Sequence, residues 1–104
     1  MSFADVTSDA TPIHSSIVAG SYELYKAGNL RYVRIGVDGI TMSNGWNDLV
    51  RVASAHRPQL LMFAYGMYPM GTLRDVQVTT DGYVRIWVNA GTSQNLRVYI
   101  TYMV

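Results

Sequence analysis

Four side chains able to hold a polar ligand sit at alternate positions on either side of one tight-turn signal: Asp75 and Gln77 ahead of Asp81-Gly82, Arg85 and Trp87 after it. Residues two apart in a strand share a face, and cross-strand neighbours on that face lie about 5 Å apart. A hairpin here sets an indole beside a carboxylate, an amide and a guanidinium. Such a group is suited to binding rather than reaction, and two readings of Trp87 stand equally: it packs against a second subunit, or its ring lies flat on the C–H face of a pyranose while the polar groups take the hydroxyls. Three more residues are candidates for the same role. Trp46 follows a glycine at the start of a strand, and reads first as a core or core-edge residue and second as a ligand contact. Tyr65 clusters with Tyr68 and Met70 near a Pro69-Gly71 turn, where it fills the core or lines a groove. His56 stands in the longest irregular connection, residues 53–59.

Reactive chemistry has few other residues to draw on. The chain has two histidines, His14 and His56, and no cysteine, so disulfides and thiolate metal sites are excluded and a multi-histidine site would have to be built between chains. No Gly-rich loop precedes a helix, and neither Gly-x-Ser-x-Gly nor His-Glu-x-x-His occurs. Asp38 and Asp81 are accounted for by hairpin-turn chemistry. Asp48 and Asp75 are a conceivable carboxylate pair for glycoside hydrolysis, but no spacing brings them together. The expectation is a protein with no catalytic residue, no cofactor and no metal. A net charge of +1, with seven scattered arginines, gives no basic stripe for nucleic acid. No apolar tract approaches the roughly 18 residues of a membrane span, and the first residues lack a signal-peptide pattern.

The elements that must position these residues are strands. Val84, Ile86 and Val88 alternate with Tyr83, Arg85 and Trp87, and Leu96, Val98, Ile100 and Tyr102 alternate with Arg97, Tyr99, Thr101 and Met103. The first member of each set belongs in a core and the second outside it. An outer face made of Arg, Tyr, Trp and Met, in a chain with one Lys and one Glu, has the composition of a contact surface.

Upstream, residues 1–15 read as a polar arm or linker. Strands are expected at 21–26 and 30–37, then an Asp38-Gly39 hairpin returning over 40–42. Residues 46–52 alternate, with Trp46, Asp48, Val50 and Val52 opposed to Asn47, Leu49 and Arg51. The apolar run 60–67 suits a sandwich core, strand 72–79 turns Val76 and Val78 inward, and residues 89–95 form a polar loop. Seven or eight strands with turns every 8 to 12 residues predict one all-β domain over 16–104, an antiparallel β-sandwich or jelly roll. Without disulfide or metal staples, a domain of this size gains from oligomerising.

The order of these features resembles the C-terminal head domains of tailed-phage receptor-binding proteins and of baseplate or tail-fibre tips. The likeness is carried by Gly45-Trp46, His56-Arg57-Pro58, the apolar strand from Leu60 to Ala64, Thr79-Thr80-Asp81-Gly82-Tyr83-Val84 and Tyr99-Ile100-Thr101-Tyr102. It implies a homotrimeric, non-catalytic head on the virion tail tip that binds host cell-surface saccharide near subunit boundaries and contacts other tail or baseplate proteins. A structural fibre or decoration module and a small cellular lectin-like domain are the alternatives.

Overall fold

The structure is a computed structural model and describes residues 2–89 and 93–104. Its strands are β1 (Ala4–Asp5), β2 (Ala10–Pro12), β3 (Tyr22–Ala27), β4 (Leu30–Ile40), β5 (Gly45–Val52), β6 (Met62–Met67), β7 (Leu73–Val78), β8 (Tyr83–Val88) and β9 (Gln94–Met103), all antiparallel to their neighbours. Helix among the described residues amounts to two single 3-10 turns, Thr7–Asp9 and Ser54–His56. The all-β antiparallel class expected from the alternation is the observed one.

The strands form one sheet in the order β1-β3-β4-β9-β6-β7-β8-β5-β2. Between β6 and β9 its ladder narrows to a single residue pair, Met67 opposite Arg97. At that seam the sheet curls into two leaves, β1-β3-β4-β9 and β6-β7-β8-β5-β2, whose apolar sides meet. Gly66 lets the seam close, since a Cβ there would lie 2.9 Å from Val98 Cγ2 and 3.2 Å from the Arg97 carbonyl oxygen. Leu24, Val33, Ile35, Val98 and Ile100 enter the core from the first leaf; Val52, Val76, Val84 and Ile86 enter it from the second. The inward sets expected for β8 and β9 are the buried ones. The two strands belong to different leaves, however, so their outward sides make two surfaces rather than one.

The stretch expected to be an arm is part of the sheet. β1 pairs with β3 at one edge, Ala4 opposite Lys26, and β2 pairs with β5 at the other, Ala10 opposite Val52. The Thr7–Asp9 turn spans the gap between the edges. Val6 N–H donates to Leu24 O at 2.9 Å on one side and Ala53 N–H donates to Asp9 O at 2.8 Å on the other. Backbone pairing needs no apolar side chain, which is why a Ser/Thr/Asp-rich segment does this without showing it in its composition.

Two local expectations are corrected. Asp38-Gly39 is not a hairpin: β4 runs through it to Ile40, still paired with β9, and the two residues form a bulge between the Val37–Leu96 and Ile40–Gln94 pairs. The positive φ of Gly39, +74°, serves that bulge, and residues 40–42 make no return strand. In β5 an irregularity between Asp48 and Val50 turns both Leu49 and Val50 inward. Trp46 is thereby on the outside, 39% exposed, and is not a core residue. Asn47 is buried instead, donating to Ser43 O and Gly45 O and accepting from Ser43 N–H. The Asp81-Gly82 hairpin does form and joins β7 to β8. Of the expected loop 89–95, residues 90–92 lie outside the described residues.

Candidate binding face

Strand register lines up the outward side chains of the second leaf in rows. In one row Phe63 of β6 faces Gln77 of β7, Gln77 faces Arg85 of β8, and Arg85 faces Asp48 of β5. In the next, Tyr65 faces Asp75 and Trp87 faces Trp46. Asp75, Gln77, Arg85, Trp87, Trp46 and Tyr65 therefore share one face. Tyr65 is 64% exposed and Trp87 37%.

Arg85 organises the centre of this face. Its Nε and Nη2 both donate to Gln77 Oε1, at 2.9 and 2.7 Å, and its guanidinium carbon lies 4.9 Å from the centroid of the Trp46 ring. One side chain thus ties β7 to β5 across β8. The cation over the indole and the forked hydrogen bond fix three side chains before any ligand arrives, which lowers the entropy lost on binding. The face continues to Tyr83, whose ring carries the Arg51 guanidinium at 4.6 Å.

His56 is not part of this face. It is buried against the fold's closing segment, where its Nδ1 accepts Arg31 Nε–H at 2.7 Å and its Nε2 lies 2.8 Å from Asp9 Oδ2. Arginine only donates, so Nδ1 must be the acceptor and Nε2–H donates to Asp9. Arg31 also donates to the Gly28 and Leu30 carbonyls, and Tyr102 O–H donates to His56 O at 2.7 Å. The expectation of His56 as a ligand contact is replaced by a structural role.

Sequence reasoning missed Phe63 and Leu73, 72% and 66% exposed on the same face. The run 60–67 read as core because its outward residues are as apolar as its inward ones. Pairing carries the missing signal: once Asp75 and Gln77 point outward, their partners Tyr65 and Phe63 must do so too. Of the aromatic turn cluster, Tyr68 is buried and donates to Ile40 O at 2.8 Å, while Met70 is exposed.

Among the described residues no group of three or more His, Cys, Asp or Glu side chains is placed to hold a metal. Asp48 and Asp75 lie on the same leaf with β8 between their strands. Compared with known proteins, the chain matches no family model and no curated protein.

Proposed function

We propose that the chain is a non-catalytic recognition head that binds saccharide through the outer face of β5 to β8 and works as a homo-oligomer, a trimer by its likeness to phage receptor-binding heads. On that likeness it sits at the tail tip of a virion and grips a host surface glycan. The observation that carries the reading is the shared face of Trp46, Trp87, Arg85, Gln77 and Asp75, on which Arg85 holds Trp46 and Gln77 in place. Two indoles offer flat apolar area for the C–H face of a sugar. Beside them stand a carboxylate that accepts, a guanidinium that donates and a nearly buried amide whose oxygen Arg85 already occupies and whose NH2 is left to donate.

The same leaf divides the work across its face. Its β6 edge, with Leu73 at the start of β7, carries Phe63, Tyr65 and Leu73, apolar and strongly exposed, which suits contact with a second copy. The mixed polar and aromatic group lies beside it, Asp75 and Gln77 on β7 with Arg85, Trp87 and Trp46 on β8 and β5, so each sugar site lies next to a subunit boundary. Shallow sites of this kind bind weakly one at a time, and repetition on an oligomer multiplies avidity.

Replacing Trp87 by Ala tests the assignment. The expected result is loss of glycan or host-cell binding with the light-scattering mass of the assembly unchanged. Dissociation to monomers with Trp87→Ala, in a protein whose unaltered form binds no glycan, supports the second reading, a purely structural fibre or decoration module. The exposure of Phe63 and Leu73 is what favours that second reading.

A further inference from the structure

The first leaf has a recess of its own on its outer side, about 190 Å³ in volume, between β3, β4 and β9. Gly36 is its floor: a Cβ there would touch the Arg97 side chain at 3.5 Å and raise the floor toward the opening. Two ion pairs flank it. Arg34 Nη1 lies 2.9 Å from Glu23 Oε1, and Arg97 Nη2 lies 2.8 Å from Asp38 Oδ1. Secondary bonds hold these groups in place, because Tyr25 O–H donates to the other Glu23 oxygen and Arg97 Nη1 donates to the Leu96 and Val37 carbonyls. Tyr99, opposite Arg34 across the ladder, supplies an exposed ring as a wall.

Charge pairing decides what fits. Each guanidinium already faces a carboxylate, so an anion gains little from the arginines and meets Asp38 and Glu23, while a cation meets the reverse. An apolar occupant would strip water from four charges with nothing in return. Hydroxyl groups both donate and accept, and adjacent ones bridge a carboxylate and a guanidinium at once. The recess is smaller than the roughly 300 to 1,000 Å³ of drug-sized pockets, a scale for one ring rather than a chain. The side chain of Asp38 is 70% exposed and that of Arg34 55% exposed, so both reach solvent at the rim.

We propose that this recess is a second binding site, separate from the aromatic face, which takes a single neutral sugar ring. It shares with the proposed function the view of the chain as a saccharide head, but none of its residues. The test is an amide NMR titration of the intact chain with methyl pyranosides of neutral hexoses. Shifts are expected at Ser21, Gly36, Asp38 and Tyr99. They should persist in Trp87→Ala and weaken roughly tenfold or more in Asp38→Ala, which removes a charged hydrogen-bond partner at an exposed position. Tyr99→Ala, also at the surface, should weaken them without disturbing the rest of the spectrum. Shifts confined to Trp46 and Trp87 would overturn the recess and leave the aromatic face standing. Shifts confined to the recess would support it and count against the face. The same recess shifts produced by acetate or sulfate at lower concentration than by any hexoside would make it an anion site and overturn the proposal.

Discussion

Arg31 is a cation with 4% of its surface exposed, and the acceptor for its Nε–H is the Nδ1 of His56. Removing that acceptor leaves a charged donor buried and unpaired, which costs more than the hydrogen bond itself contributed. His56→Ala should therefore lower stability by about 2–3 kcal/mol in urea unfolding. Asp9→Asn keeps an oxygen for the Nε2–H and should cost less than about 1 kcal/mol. Equal losses in the two variants would show that the relay is not what holds Arg31. Beside it, burial pushes the Tyr102 hydroxyl far above its ordinary 10.0. The folded state then keeps a proton that the unfolded chain gives up. Stability is complete below about pH 10 and declines as pH rises further, so Tyr102 should form tyrosinate only as the protein unfolds. Nothing in the spacing of His56, Arg31 and Asp9 foretold this cluster. They lie 25 and 47 residues apart along the chain, and only the closed sheet brings them together.

At the scale of elements, the β7–β8 hairpin was legible because its turn chemistry and its pairing agree. Asp81-Gly82 demands positive φ, Gly82 has +96°, and the flanking residues alternate without interruption. Gly82 is also packed from outside, since a Cβ would sit 2.6 Å from the Val52 carbonyl oxygen. Gly82→Ala combines backbone strain with that overlap and should cost about 2–4 kcal/mol by thermal or chemical unfolding. Within the same turn, the Thr79 hydroxyl bonded to Asp81 holds its carboxyl below the ordinary 3.8, helped by Arg51 and Arg57. A carboxyl lowered on folding stabilises the fold above its unfolded value and loses that effect as pH falls through the folded one. Asp81→Asn should accordingly flatten the acid limb of the stability curve below about pH 4. Asp38-Gly39 has the same dipeptide signature and became a bulge. The local signal specifies only the backbone angles; β9, nearly 60 residues on, decided that β4 continue straight. Trp46 was misplaced for a related reason, because the irregularity after Asp48 lets strand β5 turn two successive residues inward.

For the whole molecule, the decisive act is closure. A curled sheet of this kind has two edges, and each exposes unpaired N–H and C=O groups to any passing strand. Here one segment of about ten residues covers both, β1 on β3 and β2 on β5, and Asp9 within it also anchors His56. Most of the sheet is assembled from distant pieces, Leu30 pairing with Met103 for example, so folding should be slow and the segment should lock last. Deleting residues 1–12 bares β3 and β5 and removes the Asp9 link, while leaving the core side chains of both leaves in place except Ala10 and the half-buried Val6. The expected loss is about 3–5 kcal/mol, or roughly 15–30 °C in melting temperature for a domain of this size, with concentration-dependent aggregation as the freed edges pair between molecules. Calorimetry and light scattering on the truncated chain would read both effects. A truncated chain that melts within a few degrees of the full one and stays dispersed would mean that the segment only decorates a sheet already closed at its seam. A 104-residue chain that withstands heating while the truncation aggregates would instead put the molecule's main defence against edge pairing in its Ser/Thr/Asp-containing first twelve residues.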